Sequence, residues 1–325
     1  MTRRRVLFIA NPRARGLARA KRLEAAVEAV AAEADLDARL VWTARPGHAG
    51  ELAHAAAEDG SDLIFACGGD GTLNEVLNGL PDRAPADLPP IGVVPGGTVN
   101  VWAREAGIAR RRPGEAIRAQ LRATPLAVDL GRVGPQGEAG RRFLLMVSFG
   151  FDAAAVASVN PGLKRRVGPL AYMWAGLRTF WRYPGFDADL VLDGATPERV
   201  HTSMLVVGNT RNYGGSGAVT VAASAIDGQL DYVGLLGHGF WTTARLAPQL
   251  LLRRHLGSRQ VIFRRAGHGL IVPREGGLLP HLQLDGEIGL PPSPGPIELS
   301  VEPSAVRMLV PKPDQGLFRP PSVAP

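Results

Sequence analysis

The sequence predicts an α/β domain followed by an all-β domain. Its 325 residues exceed the roughly 100 to 200 residues that are typical of one domain. Short strands and helical stretches alternate over the first 110 residues, whereas β-rich runs separated by Gly and Asp turns follow beyond about residue 125. Apolar residues make up 45% of the chain and charged residues 21%, which is ordinary for a packed globular protein.

The first domain contains four predicted strands, with a helical stretch after each of the first three. The strands are RVLFIA (5–10), ARLVWT (38–43), DLIFAC (62–67) and IGVV (91–94), and the helices are 17–34, 48–59 and 73–80. This alternation predicts βαβ units and therefore a parallel, Rossmann-like sheet. Because such crossovers are right-handed, the strands all end at one edge, where ligands of these sheets bind. The residues at this edge are Asn11, Thr43, 68–72 and 95–98.

The second domain contains eight β-rich runs, from LAVDLGRV to PIELSVEP, which predict an antiparallel sandwich. Two helical stretches, 168–182 and 240–255, interrupt the β-rich runs. We expect a nucleotide-binding α/β domain over 1–125, to which a segment near 303–311 returns, and a β-sandwich domain over 126–302. The Pro-rich segment 312–325 is expected to be a disordered tail.

Charge and cysteine usage narrow the classes of protein. The net charge of +7 and the pI near 10.2 favour polyanionic partners, whether nucleotide phosphates, acidic lipid head groups or nucleic acid. The single cysteine, Cys67, cannot form an internal disulfide, which favours a reducing compartment. The apolar run after the first arginines is shorter than that of a signal peptide, and no window approaches the length of a membrane span. We therefore expect a cytoplasmic protein.

The segment CGGDGTLNEVLNGL (67–80) follows a predicted strand and is typical of a phosphate-binding turn. Glycines let backbone N–H groups approach an anion, and a helix N-terminus favours negative charge. The turn is not a Walker A loop, because it has no lysine, and Asn74 replaces the last glycine of the dinucleotide fingerprint. Asp70 indicates Mg²⁺ or a nucleotide hydroxyl beside it, unless it only shapes the turn. Thr72 and Glu75 fit a capping box.

A second glycine-rich loop, PGGTVN (95–100), also stands between a strand and a helix. One such loop is a weak signal. Two loops on neighbouring segments of one sheet are a stronger one, because together they could surround a triphosphate.

The two loops carry a family resemblance. GGDGTLNEV followed by PGGTVNVWAR resembles the catalytic domain of the diacylglycerol kinase family, which includes bacterial lipid kinases and sphingosine kinases. The resemblance extends over roughly residues 5 to 310 through NPRARG, Thr43, GFDA, VGNTRNYGGS, ASAIDGQLDYV and LDGE. The GGDG string is also shared with NAD kinases and phosphofructokinases, so alone it does not identify the substrate.

The resemblance implies an ATP-dependent lipid kinase that transfers the γ-phosphate to a lipid hydroxyl. Diacylglycerol is the first expectation for the acceptor, with a sphingoid base or a related lipid alcohol left open. An NAD kinase-like enzyme and a non-catalytic nucleotide-binding regulator are the alternatives. The residues expected to hold ATP are Asn11, Thr43, Gly68, Gly69, Asp70, Gly71, Thr72, Asn74, Gly97 and Thr98.

The resemblance also implies catalytic and metal-binding residues. Glu287 in LDGE matches the proposed general base, with Asp70 near the site of Mg²⁺ and nucleotide, although DGE alone is typical of a hairpin turn with a solvated Glu. A structural Mg²⁺ is expected on the carboxylate of Asp227 and the backbone carbonyls of Ser224 and Gln229.

Two segments favour an anionic membrane surface, the first because it mixes basic residues with interfacial aromatic residues and the second because it behaves similarly. They are KRRVGPLAYMWAGLRTFWRYPGF (164–186) and LLLRRHLGSRQ (250–260), each of which could instead be an ordinary helix packed on the sandwich. We expect a lipid substrate, a peripheral membrane contact and no nucleic acid partner, since no nucleic-acid-binding signature is present. A homodimer is left open.

Overall fold

The structure is a computed structural model that describes residues 3–17, 20–109, 111–151, 183–213, 217–237, 240–313 and 316–318. The chain forms two compact units. The α/β unit comprises Met1–Leu130, Ala225–Asp227 and Glu302–Pro325, and the β unit comprises Gly131–Ser224 and Gly228–Val301. No helix among the described residues is both long and apolar enough to cross a membrane.

The α/β unit contains the predicted parallel sheet. Its strands are β1 (Arg4–Ala10), β2 (Leu36–Trp42), β3 (Leu63–Gly68) and β4 (Ile91–Pro95). Their order is β2-β1-β3-β4, and every neighbouring pair is parallel. The helices are α1 (Ala20–Glu33), α2 (His48–Glu58), α3 (Asp70–Gly79), α4 (Val101–Glu105) and α5 (Pro113–Leu121). The alternation predicted from the sequence is thus confirmed.

The core of this unit explains why these segments form these elements. All six residues of β3 are buried, as an inner strand of a parallel sheet requires. Helix α1 buries Leu23, Val27 and Val30, which recur at helical spacing and form its apolar stripe. Phe8 of β1 stacks on Phe65 of β3, with their ring centroids 4.8 Å apart.

Asp129 joins the separate chain segments of the α/β unit. Its N–H donates to the carbonyl of Ala225 (2.8 Å), and its Oδ1 accepts the N–H of Ser304 (2.7 Å). The side chain is only 2% exposed, so these hydrogen bonds are shielded from water.

The β unit is built from antiparallel pairs. The strands that follow β4 along the chain are β5 (Pro125–Pro135), β6 (Arg141–Phe143), β7 (Met146–Gly150), β8 (Phe186–Leu192), β9 (Glu198–Gly208), β10 (Asn212–Tyr213), β11 (Gly217–Ala218), β12 (Leu230–Leu236), β13 (Val261–Ala266), β14 (His268–Pro273), β15 (Leu282–Leu284), β16 (Glu287–Ile288) and β17 (Ile297–Leu309). One helix, α6 (Phe240–Leu251), precedes β13. The first residues of β17 pair with β14, and Met308 near its end pairs in parallel with Ile91 of β4.

Strand β9 organises the β unit because it changes partners along its length. Residues 198–202 pair with β8, whereas residues 204–208 pair with β7 on one edge and β12 on the other. Alternate residues of the strands point into one apolar core, for example Phe186, Ala188 and Leu190 of β8. This antiparallel arrangement around one core confirms the predicted β-sandwich.

Three sequence predictions remain to be compared with the structure, namely the two helical stretches of the second domain and the Pro-rich segment 312–325. The predicted helix 168–182 and most of the segment 164–186 lie outside the described residues. Helix α6 ends at Leu251 and not at residue 255, because Arg253 adopts a left-handed conformation with φ of 56°. In the segment 312–325, where we expected disorder, Gly316–Phe318 is a 3-10 turn whose Phe318 packs edge-on against Trp102.

Candidate active site

Asn11, at the end of β1, ties the first loop of the α/β unit to helix α3. Its backbone N–H donates to the carbonyl of Cys67 (2.9 Å), and its Oδ1 accepts the N–H of Arg13 (2.9 Å). Its Nδ2 donates to Oγ1 of Thr72 (3.1 Å). The side chain is therefore fixed between two loops that both follow strands of the sheet.

Helix α3 begins earlier than the sequence predicted, and the capping box assigned to Thr72 and Glu75 is wrong. The helix begins at Asp70 with Gly69 as its N-cap, so Thr72 lies inside the first turn. Glu75 instead accepts the N–H of Ala49, at the start of α2, through Oε2 (3.3 Å). The first N–H groups of an α-helix have no intrahelical acceptor, and those of α3 lie within the glycine-rich turn, because the helix begins at Asp70.

The two glycine-rich loops touch through their backbones. The N–H of Gly96 donates to the carbonyl of Gly68 (2.7 Å). The N–H of Gly16, which lies in the loop after β1, donates to the carbonyl of Gly96 (2.8 Å). A Cβ on Gly97 would lie 2.6 Å from Cα of Gly69, which no side chain tolerates. Glycine is therefore required here for close approach.

Asn100 shapes the second loop. Its Oδ1 accepts the N–H of Gly97 (2.8 Å), and its Nδ2 donates to the carbonyl of the same residue (2.8 Å). Its own φ is 51°, in the left-handed region that Asn tolerates better than most residues. This leaves Thr98 exposed at the tip of the loop.

Asp70 links the first glycine-rich loop to the helix that follows the second. Its Oδ2 accepts the N–H of Val101 (2.9 Å), and its Oδ1 accepts the N–H of Trp102 (3.2 Å). Burial raises the pKa of this carboxyl, and the two backbone N–H groups and the nearby Arg104 oppose part of that shift. Asp70 therefore caps α4, a contact that the sequence did not reveal.

The remaining residues predicted to hold ATP lie in varied surroundings. Thr43, half-buried after β2, donates its N–H to the carbonyl of Ala10 (2.8 Å). Asn74 is only 5% exposed, and its Oδ1 accepts from Nδ2 of Asn78 (3.2 Å).

Cys67, the residue before the glycine-rich turn, is fully buried, and burial raises the pKa of its thiol, so it belongs to the core.

Glu287 stands on a tight hairpin in the β unit. Leu284 of β15 pairs with Glu287 of β16, and the two residues between them, Asp285 and Gly286, have φ of 48° and 90°. Positive φ at both central residues is typical of a type I′ turn, which Asp-Gly favours. The Glu287 side chain is exposed.

Asp285 fixes this hairpin to the start of β7. Its Oδ1 accepts the N–H groups of Leu145 (2.9 Å) and Met146 (3.0 Å), and its Oδ2 accepts that of Leu144 (3.0 Å). The residue is 7% exposed, so a buried carboxylate holds three backbone donors. Sequence reasoning treated Asp285 only as a turn residue. Its partners lie about 140 positions away, where no local pattern points to them.

The predicted metal segment is a loop between β11 and β12. Ser224 is buried, Asp227 is half-buried and Gln229 is exposed, and Gly228 between the last two has φ of 69°. The carboxylate of Asp227 and the backbone carbonyls of Ser224 and Gln229 would supply only oxygen donors, the type that Mg²⁺ prefers. No group of three or more His, Cys, Asp or Glu residues that could hold a metal is found in the described part of the chain.

Two arginines hold the start of the same loop. Arg211 donates from Nε to the carbonyl of Ala223 (2.8 Å), and Arg265 donates from Nη2 to the carbonyl of Ala222 (2.8 Å). Arg265 also forms an ion pair with the buried Asp231, at 2.9 Å.

Two family models match the chain. Residues 5–133 match the model described as the diacylglycerol kinase catalytic domain, and residues 145–310 match that of the YegS C-terminal NAD kinase beta sandwich-like domain.

Curated relatives agree with these models. A diacylglycerol kinase of Bacillus subtilis (strain 168) is 31% identical over 74% of this chain and 77% of its own length. A YegS-like lipid kinase of Stenotrophomonas maltophilia (strain K279a) is 33% identical over 85% of this chain and 87% of its own length.

Solved structures show the same fold. A crystal structure of a diacylglycerol kinase from Bacillus anthracis str. Sterne superposes with a TM-score of 0.69 at 20% identity, covering 95% of this chain and 98% of that one. Another structure from the same organism gives a TM-score of 0.77 at 23% identity, covering 95% of this chain and 96% of that one. The α/β and β-sandwich architecture is thus found in solved proteins.

Proposed function

This chain belongs to the diacylglycerol kinase family and is a kinase, and from that premise we propose that it phosphorylates the hydroxyl group of a lipid with ATP. Diacylglycerol is the first candidate for the acceptor, followed by a sphingoid base or a related lipid alcohol. The observation that carries the proposal is the backbone contact between two glycine-rich loops at the carboxyl ends of parallel strands. Such an edge is where α/β sheets bind nucleotides.

The phosphates of ATP would meet backbone N–H groups and not a lysine side chain. The amino end of α3 opens onto this loop, so its dipole and its N–H groups favour the negative charge of a phosphate. The residues proposed to hold ATP are Asn11, Thr43, Gly68, Gly69, Asp70, Gly71, Thr72, Asn74, Gly97 and Thr98. The contact between Asn11 and Thr72 supports this set, because it joins two of its members.

Asp70 is proposed to serve this site in two ways. Its carboxylate holds the amino end of α4 and so fixes the second loop. Its oxygens accept the N–H groups of Val101 and Trp102, and a carboxylate has about four lone-pair sites, so a ligand could use another. Mg²⁺ bound with ATP would neutralise charge on the transferring phosphoryl group.

Glu287 is proposed as the general base. An exposed carboxylate can accept the proton of the alcohol as its oxygen attacks the γ-phosphorus in line. Asp285 supports this role because it anchors the hairpin to three backbone N–H groups and so holds the position of Glu287. A second, structural Mg²⁺ on Asp227, with the carbonyls of Ser224 and Gln229, completes the proposal.

The proposal includes contact with an anionic membrane surface. A lipid acceptor lies in a membrane, and the net charge of +7 attracts the protein to acidic head groups. We propose a cytoplasmic, peripherally bound enzyme.

Transfer of phosphate from labelled ATP into a total lipid extract tests the function. We expect a chloroform-soluble labelled product, and we expect Glu287→Gln to lower its rate by about a hundredfold or more, because an amide cannot accept the proton. Asp70→Asn should also lower the rate strongly. Glu275→Gln is the matched control, since Glu275 is another exposed glutamate of the β unit, and its rate should stay within about twofold of wild type.

The outcomes separate the alternatives. A Glu287→Gln variant as active as wild type would remove Glu287 as the base. Label found in NAD⁺ and not in lipid would indicate an NAD kinase, and ATP binding without transfer to any acceptor would indicate a regulator.

A further inference from the structure

Two exposed leucines and three exposed arginines lie between residues 251 and 259, at and just after the carboxyl end of α6. Leu251 is 84% exposed and Leu252 is 68% exposed, the two highest values among the large apolar side chains of the described residues. Arg253 and Arg254 follow directly, and Arg259 is exposed after the next turn. We call Leu251, Leu252, Arg253, Arg254 and Arg259 the Leu-Arg patch.

The backbone holds the Leu-Arg patch in a defined shape. The N–H of Arg254 donates to the carbonyl of Gln249 (2.8 Å), and the N–H of Arg253 donates to that of Leu250 (3.1 Å). These two bonds, with φ of 56° at Arg253, form a Schellman motif at the helix end. Glycine is the usual residue at the left-handed position, and arginine there adopts a conformation that is unfavourable for a residue with a Cβ.

The motif also lacks its usual apolar contact. A Schellman motif is commonly accompanied by packing between the residue after the left-handed position and the last helical turn. Here that residue is Arg254, which is exposed. Leu251 and Leu252, just before it, are exposed as well.

A buried histidine, His255, fixes the chain directly after Arg254. His255 is fully buried and starts a 3-10 turn, His255–Gly257, immediately after the arginines. Its Nε2 lies 2.6 Å from the carbonyl of Val219. The exposed leucines therefore belong to a fixed turn of the β unit.

The chain segment that carries the Leu-Arg patch has basic but no acidic side chains, although two of its arginines, Arg264 and Arg265, are paired with Glu198 and Asp231. No Asp or Glu occurs between Asp231 and Glu275, whereas seven arginines do. Within the described ranges, no carboxylate forms a salt bridge with Arg253, Arg254 or Arg259, and the nearest side-chain partner of Arg253 is Oδ1 of Asn212 (3.4 Å). These guanidinium groups are available to phosphate.

We propose that the Leu-Arg patch docks this kinase onto the anionic surface of a lipid bilayer. The two leucines enter the boundary between head groups and acyl chains, and the arginines bind lipid phosphates around them. The inference rests on the proposed function, because a lipid acceptor brings the enzyme to a bilayer. It deepens that function by assigning the surface of contact.

The leucines distinguish a bilayer from other polyanions. Two adjacent exposed leucines gain free energy only where they leave water. A nucleic acid backbone offers the arginines phosphate but gives the leucines no apolar phase. A bilayer satisfies both halves of the patch.

Co-sedimentation with vesicles tests the docking surface. The probes are phosphatidylcholine vesicles with about 30% phosphatidylglycerol and vesicles of phosphatidylcholine alone. Arg253→Gln with Arg254→Gln should weaken binding to the anionic vesicles by about thirtyfold, from roughly 1 kcal/mol for each arginine at such a surface. Leu251→Ser with Leu252→Ser should weaken it by about tenfold or more.

The controls remove an equal number of charges, or a smaller exposed apolar area, at other sites. Arg83→Gln with Arg118→Gln removes two exposed arginines whose charges are paired with Glu58 and Glu33. Leu278→Ser removes another exposed leucine, which is 57% exposed. Both controls should bind anionic vesicles within about threefold of wild type.

Folding and function are read separately from docking. Phosphoryl transfer to a short-chain diacylglycerol kept below its critical micelle concentration, where no interface is present, should be unchanged in both patch variants, which shows that they are folded and active. Patch variants that bind vesicles like wild type would overturn the docking surface while the kinase activity stands. If the protein had no kinase activity but its vesicle binding still depended on the patch, the proposed function would be wrong and the docking surface would stand.

Two further outcomes would overturn the proposal. One is loss of affinity for duplex DNA, but not for vesicles, in the arginine variant. The other is a dimer of the wild-type protein in sedimentation equilibrium that Leu251→Ser with Leu252→Ser converts to a monomer without affecting vesicle binding.

Discussion

At the scale of single residues, Asp285 is a buried side chain whose replacement should destabilise the β unit. Asp285→Asn replaces a carboxylate that accepts three buried backbone N–H groups with an amide that has one acceptor oxygen. At least one donor then faces an NH₂ group without an acceptor. We expect a loss of about 2 to 3 kcal/mol in the free energy of unfolding, and faster hydrogen exchange at the amides of residues 144–146.

Asp35→Asn is the control for this prediction. Asp35 has nearly the same φ as Asp285, 49° against 48°, so asparagine fits both backbones equally. Its carboxylate is 75% exposed in a surface ion pair with Arg3, which contributes little. Equal stability of the two variants in a denaturant titration would show that the three N–H contacts do not hold the hairpin.

At the scale of elements, the contact between the two glycine-rich loops should set the affinity for ATP. Gly97→Ala places a Cβ 2.6 Å from Cα of Gly69 and 2.8 Å from Oδ1 of Asn100. The first of these neighbours is backbone, so the loops must separate. We expect the Kd for a non-hydrolysable ATP analogue to rise by about tenfold or more in calorimetry, equivalent to about 1.4 kcal/mol.

Gly295→Ala is the companion variant. The nearest atom to a Cβ at Gly295 is Oγ of Ser293 at 3.9 Å, and the backbone there has no positive φ, so alanine fits without movement. Its Kd should equal that of wild type. Unchanged affinity in Gly97→Ala would instead mean that ATP does not depend on the spacing of the two loops.

Several strands and the first glycine-rich turn could be predicted because their sequence signals are local. Strands β1, β3 and β4 follow from continuous apolar runs between helical stretches, and a glycine-rich turn after a strand is a local pattern. The contacts of Asp70 with Val101 and of Asp285 with Leu145 join residues that are 31 and 140 positions apart. Such pairs leave no local periodicity, so the sequence predicts a ligand-binding role for Asp70 and a turn for Asp285, but neither backbone contact.

The capping box failed for a related reason. Thr72 and Glu75 have the right spacing, but α3 begins at Asp70, since Gly69 already turns the chain into the helix. Thr72 then binds Asn11, and Glu75 binds the start of α2. Both side chains therefore form hydrogen bonds with residues distant in the sequence and do not cap the helix that contains them.

At the scale of the whole molecule, the net charge should govern binding to membranes but not the chemical step. The chain carries +7, and the exposed arginines of the Leu-Arg patch are not in salt bridges with described residues. Raising the salt concentration from about 0.1 M to about 1 M shortens the Debye length from about 10 Å to about 3 Å. Attraction of the protein to acidic head groups is screened over that range, whereas a proton transfer within contact distance is not.

We therefore expect binding to anionic vesicles to fall by more than about tenfold across this range of salt, while turnover in neutral micelles at saturating ATP changes by less than about twofold. Co-sedimentation and initial rates measured on the same preparation check both halves. The Leu251→Ser, Leu252→Ser variant separates the two components of docking, because it retains the charges and should keep the same salt dependence from a weaker starting point. Vesicle binding that is indifferent to salt would mean that burial of the leucines, and not charge, brings this enzyme to its lipid.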